Sequence, residues 1–330
     1  MRAVRLDRYG DYSELKSVMV PTPQPADDEL LIRVRVAAVN PIDSTIRLGR
    51  FSGAKQPPLV PGQEASGVVT ANATPDFPLG TRVLVRGGYG IARDGTWQEF
   101  VTAGPNQILR APRGLDDAAL AATGSGYLAA ALALGRAGFA ADKSVLALGV
   151  GGAVGNATYQ LARARGASIV IGTAGSTAKA ELARSLGFNP VVDLSTESLE
   201  EVTTKLTEGR GVDIVVDSLG GPITSQALKT LASDGALVAL GYVAGASTEI
   251  NLQDMVRRRG AILAVGLARM PPDSVRALYE SMRQEFESGA LVPRVARTFP
   301  LEEAADAQRF LDHDRPFGKV VLQVSSENGD

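Results

Sequence analysis

Two hydrophobic periods divide the chain. Up to about Leu115, apolar and polar residues alternate over short runs. Leu30-Leu31-Ile32-Arg33-Val34-Arg35-Val36 sets apolar against charged positions with period two, which predicts a half-buried strand. Residues 65–70 and 82–86 repeat the pattern, each following Pro or Gly punctuation at Pro61-Gly62 and Leu79-Gly80. Together these segments predict a small β-rich domain of partly open barrel type.

From about Ala119 the texture changes to continuous apolar runs joined by helical patterns. Strands are predicted at 144–150, 168–171, 191–192, 212–216, 236–240 and 261–265, with helices at 156–165, 178–186, 198–206 and 223–231 between them. Strands buried on both faces and joined by helices imply a parallel, doubly wound sheet. Helices at 274–287 and 302–311 follow, and a strand at 319–324 returns to the β-rich domain. The expected organisation is therefore α/β, with a discontinuous β-rich domain (1–118 and 268–330) around a Rossmann-type domain (119–267). The longest apolar stretch, 118–134, is alanine-rich and interrupted by Thr123-Gly124-Ser125-Gly126. It reads as a strand end or loop leading into a buried helix, since a membrane span needs roughly 20 strongly apolar residues. The tail 325–330 carries no pattern.

Composition narrows the chemistry. The 330 residues are 45% hydrophobic and 21% charged, enough for two cores, and 34 basic against 36 acidic residues leave no field to attract nucleic acid or an anionic membrane. There is no cysteine, so disulfides, thiolate metal sites and a cysteine nucleophile are excluded together. The single histidine, His313, lies in a polar stretch and reads as a solvated surface residue. Residues 1–9 lack a basic start followed by an apolar run, so no secretory signal is expected and the cytoplasm is the default.

The sharpest motif is Gly149-Val150-Gly151-Gly152-Ala153-Val154-Gly155, directly after the apolar run Val145-Leu146-Ala147-Leu148. One glycine suits a tight turn, one the close approach of a pyrophosphate, one helix–strand packing. The helix that follows offers unpaired N–H groups to phosphate. The spacing is G-x-x-G-x-x-G and not the stricter G-x-G-x-x-G, and a tight turn that binds nothing is the alternative. NAD sites place Asp or Glu about 20 residues further on, to hold the ribose 2′-hydroxyl. Here that stretch reads Ile171-Gly172-Thr173-Ala174-Gly175-Ser176-Thr177-Ala178-Lys179, without a carboxylate. Ser176 also suits a helix N-cap and Lys179 a solvated surface position. A missing acid beside two donors favours NADPH.

Several further pieces stand in a familiar order: Ala38-Val39-Asn40-Pro41-Ile42-Asp43 with Arg47-Leu48-Gly49, Val60-Pro61-Gly62-Gln63-Glu64-Ala65-Ser66-Gly67-Val68-Val69, Asp217-Ser218-Leu219-Gly220, and Gly318-Lys319-Val320-Val321-Leu322. With the glycine turn and Gly172 to Ser176, they make the chain resemble the zinc-independent quinone oxidoreductases of the medium-chain dehydrogenase/reductase superfamily over essentially its whole length. The resemblance implies a GroES-like domain, a cofactor in the cleft between domains, and a homodimer formed through the cofactor domains, with 261–265 at the sheet edge. Carried over by position, it sets nicotinamide-side contacts at Asn40, Ile42, Asp43, Leu240, Gly241 and Tyr242. Val265 and Gly266 approach the carboxamide, Ser218 the adenosine side, and Gly152, Ala153 and Val154 the pyrophosphate, with Gly149, Thr173, Ser176 and Lys179 completing the set.

The superfamily's alcohol dehydrogenases hold zinc with a cysteine where Asn40 stands and a histidine where Gln63 stands. Amides do not replace those ligands, so zinc is not expected. The remaining chemistry suits a small electron-poor acceptor, a quinone or an α,β-unsaturated carbonyl, with Asn40, Tyr89, Tyr127 and Tyr242 as candidate donors. Relatives often carry tyrosines where Thr45 and Phe51 stand, a threonine at Ala129 and a tyrosine at Leu194; these departures bear on substrate and on NADPH preference. Two alternatives stay open. An enoyl-thioester reductase requires a basic groove, for which Arg257-Arg258-Arg259 is the one basic run, and a non-catalytic NADPH-binding redox sensor requires no acceptor at all.

Overall fold

A computed structural model describes residues 1–325; the tail expected to be patternless otherwise lies outside the described residues. In chain order the strands are β1 (Arg2–Leu6), β2 (Leu15–Met19), β3 (Leu30–Val39), β4 (Glu64–Ala71), β5 (Arg82–Arg86), β6 (Phe100–Ala103), β7 (Ile108–Arg110), β8 (Ser144–Ala147), β9 (Ile169–Ala174), β10 (Val191–Asp193), β11 (Val212–Asp217), β12 (Leu231–Ala239), β13 (Ala261–Ala264), β14 (Val295–Pro300) and β15 (Lys319–Gln323). The helices are α1 (Pro41–Arg47), α2 (Asp117–Ala121), α3 (Ser125–Arg136), α4 (Ala153–Ala164), α5 (Thr177–Ser185), α6 (Leu199–Leu206), α7 (Pro222–Leu228), α8 (Leu252–Arg258), α9 (Pro272–Glu280), α10 (Arg283–Glu287) and α11 (Ala304–Asp314). The chain divides into two compact units. Among the described residues one comprises 1–124, 270–287 and 293–325; the other comprises Ser125–Arg269 and Ser288–Val292.

The first unit is built on a sheet of order β14-β15-β3-β4-β5-β7, with β6 also on β3 and a separate β1–β2 pair. β3 alternates buried and half-buried positions as far as Arg35 and is buried throughout from Val36 to Val39. The alternating half predicts itself from sequence; the buried half reads as plain apolar chain, so the predicted strand stops short. β15 joins β3 antiparallel, with Val320 opposite Val39, which makes this unit discontinuous in sequence. Trp97 and Tyr89 are fully buried at its centre. The Trp97 indole N–H donates to Ala38 O at 3.1 Å, so a large polar-tipped ring is accommodated without an unpaired donor.

The second unit is a six-stranded parallel sheet of order β10-β9-β8-β11-β12-β13. Four local expectations change. The stretch 118–134 contains no strand end: Asp116 caps α2 by accepting from Ala119 N at 2.7 Å, and α3 follows. β8 ends at Ala147 and not Val150, because Gly149 turns at φ +66°. The predicted helix 223–231 stops at Leu228, and Leu231 joins β12 opposite Val212. The predicted helix 274–287 is broken after Glu280, where Ser281 Oγ donates to Leu278 O at 2.7 Å and competes for a helical carbonyl. No helix among the described residues is long and apolar enough to cross a membrane.

Gly62 links the β-rich core to the residues discussed next. Its φ is +96°, and a Cβ there lies 2.3 Å from Trp97 Cδ1 and 2.6 Å from Thr96 Oγ1. Gly62→Ala is expected to lower unfolding stability by about 2–4 kcal/mol, through strain and overpacking together. Urea titration checks this; a loss below about 0.5 kcal/mol counts against the crowding described.

Candidate functional site

Because all strands of the second sheet run parallel, their carboxyl ends share one edge. The chain steps from β8 outward to β9 and β10, and from β11 the other way to β12 and β13. Loops leaving β8 and β11 therefore diverge, and a crevice opens where the direction reverses. The glycine turn stands there. Gly149 takes the left-handed conformation and donates from its amide to Thr173 Oγ1 at 2.8 Å. Gly152 is exposed and N-caps α4, donating to Gly149 O at 2.9 Å; a Cβ on it meets only that oxygen, at 3.5 Å. At Gly155 a Cβ falls 2.3 Å from Gly149 O and 2.4 Å from Leu148 O, so only glycine lets α4 pack so close to the turn. The first-turn amides of Ala153 and Val154 have no acceptor within the helix, and both residues are half-exposed. Unpaired amides, a helix dipole and an unobstructed approach make an anion cradle suited to a pyrophosphate.

The neighbouring strand ends are fixed by a carboxylate that sequence reasoning missed. Asp217, buried at the end of β11, accepts from the amides of Leu219 at 2.8 Å and Gly220 at 2.9 Å, and from the Thr224 hydroxyl. Leu240 N donates to Asp217 O at 2.9 Å, and a Cβ on Gly241 lies 2.4 Å from Ser218 O. Ser218, Leu240 and Gly241 are thus held together at the same edge, with Tyr242 66% exposed beyond them. Val265 follows β13, its amide donating to Ala239 O at 3.2 Å, and Gly266 is exposed beside it.

Ser176 N-caps α5, its Oγ accepting from Lys179 N at 3.4 Å. A hydroxyl that accepts through a lone pair keeps its proton for an outside acceptor. One strand over, Asp193 ends β10 opposite Ala174. Its carboxylate accepts from Thr177 Oγ1 at 2.6 Å and from Ser195 N at 3.0 Å. Ser195 and Thr177 hydroxyls hold its pKa down to about 2. This acid escapes the sequence rule because it belongs to the next strand; its oxygens tie α5 to β10.

In the β-rich unit, Asn40, Asp43, Glu64 and Lys319 form one buried polar cluster. Lys319 Nζ lies 2.6 Å from Glu64 Oε1 and 2.6 Å from Asn40 Oδ1. Asp43 Oδ2 accepts from Asn40 N at 2.8 Å, closing the start of α1, and Ile42 is half-buried beside it. Burial pushes the Asp43 carboxyl up to about 7, against the downward pull of the Asn40 amide and the Lys319 charge. Burial also lowers the Arg86 pKa, against the pull of Glu64. One ammonium among two buried carboxylates favours keeping one of them protonated near neutrality. The amide oxygen of Asn40 already faces the Lys319 ammonium, which repels a second cation. The donor set does not fit a metal, and no cluster of metal-binding residues occurs among the described residues.

Some expected residues take other roles. Tyr89 is removed from the candidate donors: it is fully buried and its hydroxyl donates to Thr102 O at 2.6 Å. Thr173 is fully buried, and its Oγ1 accepts from the Gly149 amide and so buttresses the glycine turn. Tyr127 is buried on α3. The basic run is occupied by its surroundings: Arg257 pairs with Asp254, Arg258 donates to Leu231 O, and Arg259 pairs with Asp234. His313 is exposed, with Nε2 3.3 Å from the Tyr12 hydroxyl. Thr45 Oγ1 donates to Pro41 O at 3.3 Å, and Phe51 packs on the apolar core.

Two protein families match the chain: "Alcohol dehydrogenase GroES-like domain" over residues 26–113 and "Zinc-binding dehydrogenase" over residues 153–284. The quinone oxidoreductase of Rattus norvegicus is 31% identical, over 98% of this chain and 97% of its own length. The chloroplastic NADPH-dependent alkenal/one oxidoreductase of Arabidopsis thaliana is 31% identical, over 98% of this chain and 79% of its own. Among solved structures, an NAD-dependent alcohol dehydrogenase superposes with a TM-score of 0.89 at 29% identity, covering 98% of this chain and all of that one (100%).

The raised Asp43 pKa carries a stability consequence. An unfolded aspartate ionises near pH 4. Between there and about 7 the folded chain holds a proton that the unfolded chain has released, so stability falls as pH rises through that window. Asp43→Asn removes this contribution. Thermal melts of both proteins from pH 4.5 to 7.5 are expected to show the parent losing ground to the variant as pH rises; parallel curves contradict the assignment.

Proposed function

This chain belongs to the quinone oxidoreductases of the medium-chain dehydrogenase/reductase superfamily, and on that premise we propose that it reduces a quinone or an α,β-unsaturated carbonyl with NADPH and without zinc. The observation that carries the reading is the glycine corner between β8 and α4, where backbone amides are open to a pyrophosphate. When bound, the nicotinamide supplies a hydride. Gly152, Ala153 and Val154 bind the pyrophosphate; Ser218, Leu240, Gly241, Val265 and Gly266 bound the rest of the cofactor at the same sheet edge. Ser176 and Lys179 take the 2′-phosphate, the first as a hydroxyl donor and the second as a point charge on the first turn of α5. The family resemblance assigns nicotinamide contacts to Asn40, Ile42, Asp43 and Tyr242.

Zinc independence rests on the donor set: no cysteine anywhere, and an amide at Asn40 already turned to an ammonium. Without a Lewis acid the acceptor must itself delocalise the incoming charge. A quinone or enone does so, since hydride on carbon sends the π pair to a carbonyl oxygen. Asn40 then donates a hydrogen bond to that oxygen, and water or the exposed Tyr242 hydroxyl supplies the proton. Occupation of the basic run by Asp254, Leu231 and Asp234 disfavours an enoyl thioester, whose phosphates need open cations. We place the enzyme in the cytoplasm.

A homodimer through the edge of the second sheet belongs to the same proposal. β13 ends the sheet, and Ile262 (42% exposed), Leu252 (73%) and Val256 (77%) leave an apolar surface beside its free edge. Such edges are normally covered.

Three outcomes are expected. NADPH consumption followed across a panel of quinones, enals, enones and enoyl thioesters responds to the first three classes; NADPH binding without consumption by any of them instead marks a sensor. NADPH binds at least about tenfold more tightly than NADH, and Lys179→Ala narrows that ratio. Calorimetric titrations giving equal affinities refute the 2′-phosphate assignment. Ile262→Lys with Val256→Lys shifts the mass in solution from dimer to monomer by light scattering; a variant that stays dimeric moves the interface elsewhere.

A further inference from the structure

Asn40 occupies the N-cap position of α1, where an asparagine side chain ordinarily accepts from the second or third amide of its helix. Its Oδ1 atom accepts from Lys319 Nζ at 2.6 Å, while Asp43 closes the helix start from the other direction through the Asn40 amide. Lys319 arrives on the first residue of β15, beside the end of β3 that leads into Asn40. A second ammonium hydrogen goes to Glu64 Oε1 on β4, and the two charged side chains are 6% and 3% exposed. An ammonium has donors only. It therefore admits just one of the two amide orientations, with Oδ1 toward the charge and the Nδ2 hydrogens on the opposite side. A positive charge on the oxygen side also withdraws electron density and makes those hydrogens stronger donors.

We propose that Lys319 is a positioning residue for the reduction: seated on Glu64, it orients and polarises the Asn40 amide so that Nδ2–H donates to the acceptor's carbonyl oxygen. This rests on the reading of Asn40 as the oxygen's donor. In the step itself the bound NADPH would be oxidised as its hydride-bearing C–H bond breaks, a C–H bond would form at the acceptor carbon, and the acceptor's π pair would move to oxygen. Lys319 keeps all its protons, and solvent or a tyrosine neutralises the oxyanion. A tie between β4 and β15 needs only the Lys319–Glu64 pair. The second bond, from Nζ to the Asn40 amide oxygen, is the part that such a tie does not require.

Removing Lys319 alone strands a buried carboxylate, so the test changes both charges: Lys319→Met with Glu64→Gln. The first readout is independent of turnover. In protein labelled with 15N-asparagine, the Asn40 Nδ2 resonances, assigned by their loss in Asn40→Leu, are expected to move upfield in the double variant. The second readout is kinetic, with a benzoquinone and NADPH. The double variant is expected to lose on the order of tenfold in kcat with the KM for NADPH within about twofold. Asn40→Leu lowers kcat in the parent and adds little in the double variant. Lys319→Gln with Glu64→Gln returns a neutral donor to Oδ1 and recovers part of the loss; this pair also serves if the methionine variant folds poorly. Unmoved resonances, an unchanged kcat, or a full Asn40→Leu effect in both backgrounds overturns the proposal. If the parent consumes NADPH with no acceptor, the reading of the reaction fails and the proposed role falls with it. The resonances then report separately whether Lys319 sets the amide.

Discussion

A phosphate can rest on backbone amides only where no side-chain atom stands between them, and the second unit is arranged around that requirement. The chain must leave β8, reverse, and enter α4 within a few residues. Gly149 allows the reversal by its positive φ, and Gly155 lets the helix press to within contact of the turn's carbonyls. Thr173 on β9 and Asp217 on β11 then brace the turn and its neighbour from either side. Strand order completes the arrangement, because the reversal lies between β8 and β11, where the diverging loops leave room.

The β-rich unit depends on a different constraint, the charge balance of its interior. Two buried carboxylates and one ammonium cannot all stay ionised cheaply. Glu64 holds the ammonium directly, and Asp43, which receives an amide and not a full cation, is the group left to take the proton. Gly62 matters here for a steric reason: two residues before Glu64 in the chain, a methyl group there meets Trp97 and Thr96.

How much of this was legible in the sequence follows from what each feature depends on. The parallel sheet was, since buried strands and amphipathic helices leave periodic traces; so was the glycine corner, whose residues are contiguous. Asp193 and Asp217 were not assigned, because each acts on residues brought near by the sheet or by a turn and neither obeys a spacing rule. Tyr89 shows the converse. A tyrosine in a plausible segment reads as a donor until the fold reveals Thr102 O as its acceptor. The Lys319–Asn40 contact spans most of the chain, and only the antiparallel pairing of β15 with β3 creates it. Its sequence signal, a lysine opening an otherwise apolar strand, was visible as a pattern but carried no role without a partner. The break after Glu280 depends on one serine hydroxyl choosing a carbonyl over water, a choice that periodicity does not encode.

The identity of residue 40 shifts where the chemistry must come from. A thiolate at that position can bind a metal, and the metal polarises a carbonyl by direct coordination. An amide offers only a dipole, whose effect depends on which end faces the substrate and on what stands behind it. With Lys319 behind Oδ1, the dipole is set and strengthened, yet it remains a hydrogen-bond donor worth a few kcal/mol at most in a transition state. That limit selects the acceptor. A simple ketone, with no conjugation to take up charge, needs more help than one polarised amide provides. A quinone or enone supplies most of the stabilisation from its own π system and asks the protein chiefly for alignment. An amide at residue 40 and a conjugated acceptor thus answer the same physical requirement from two sides.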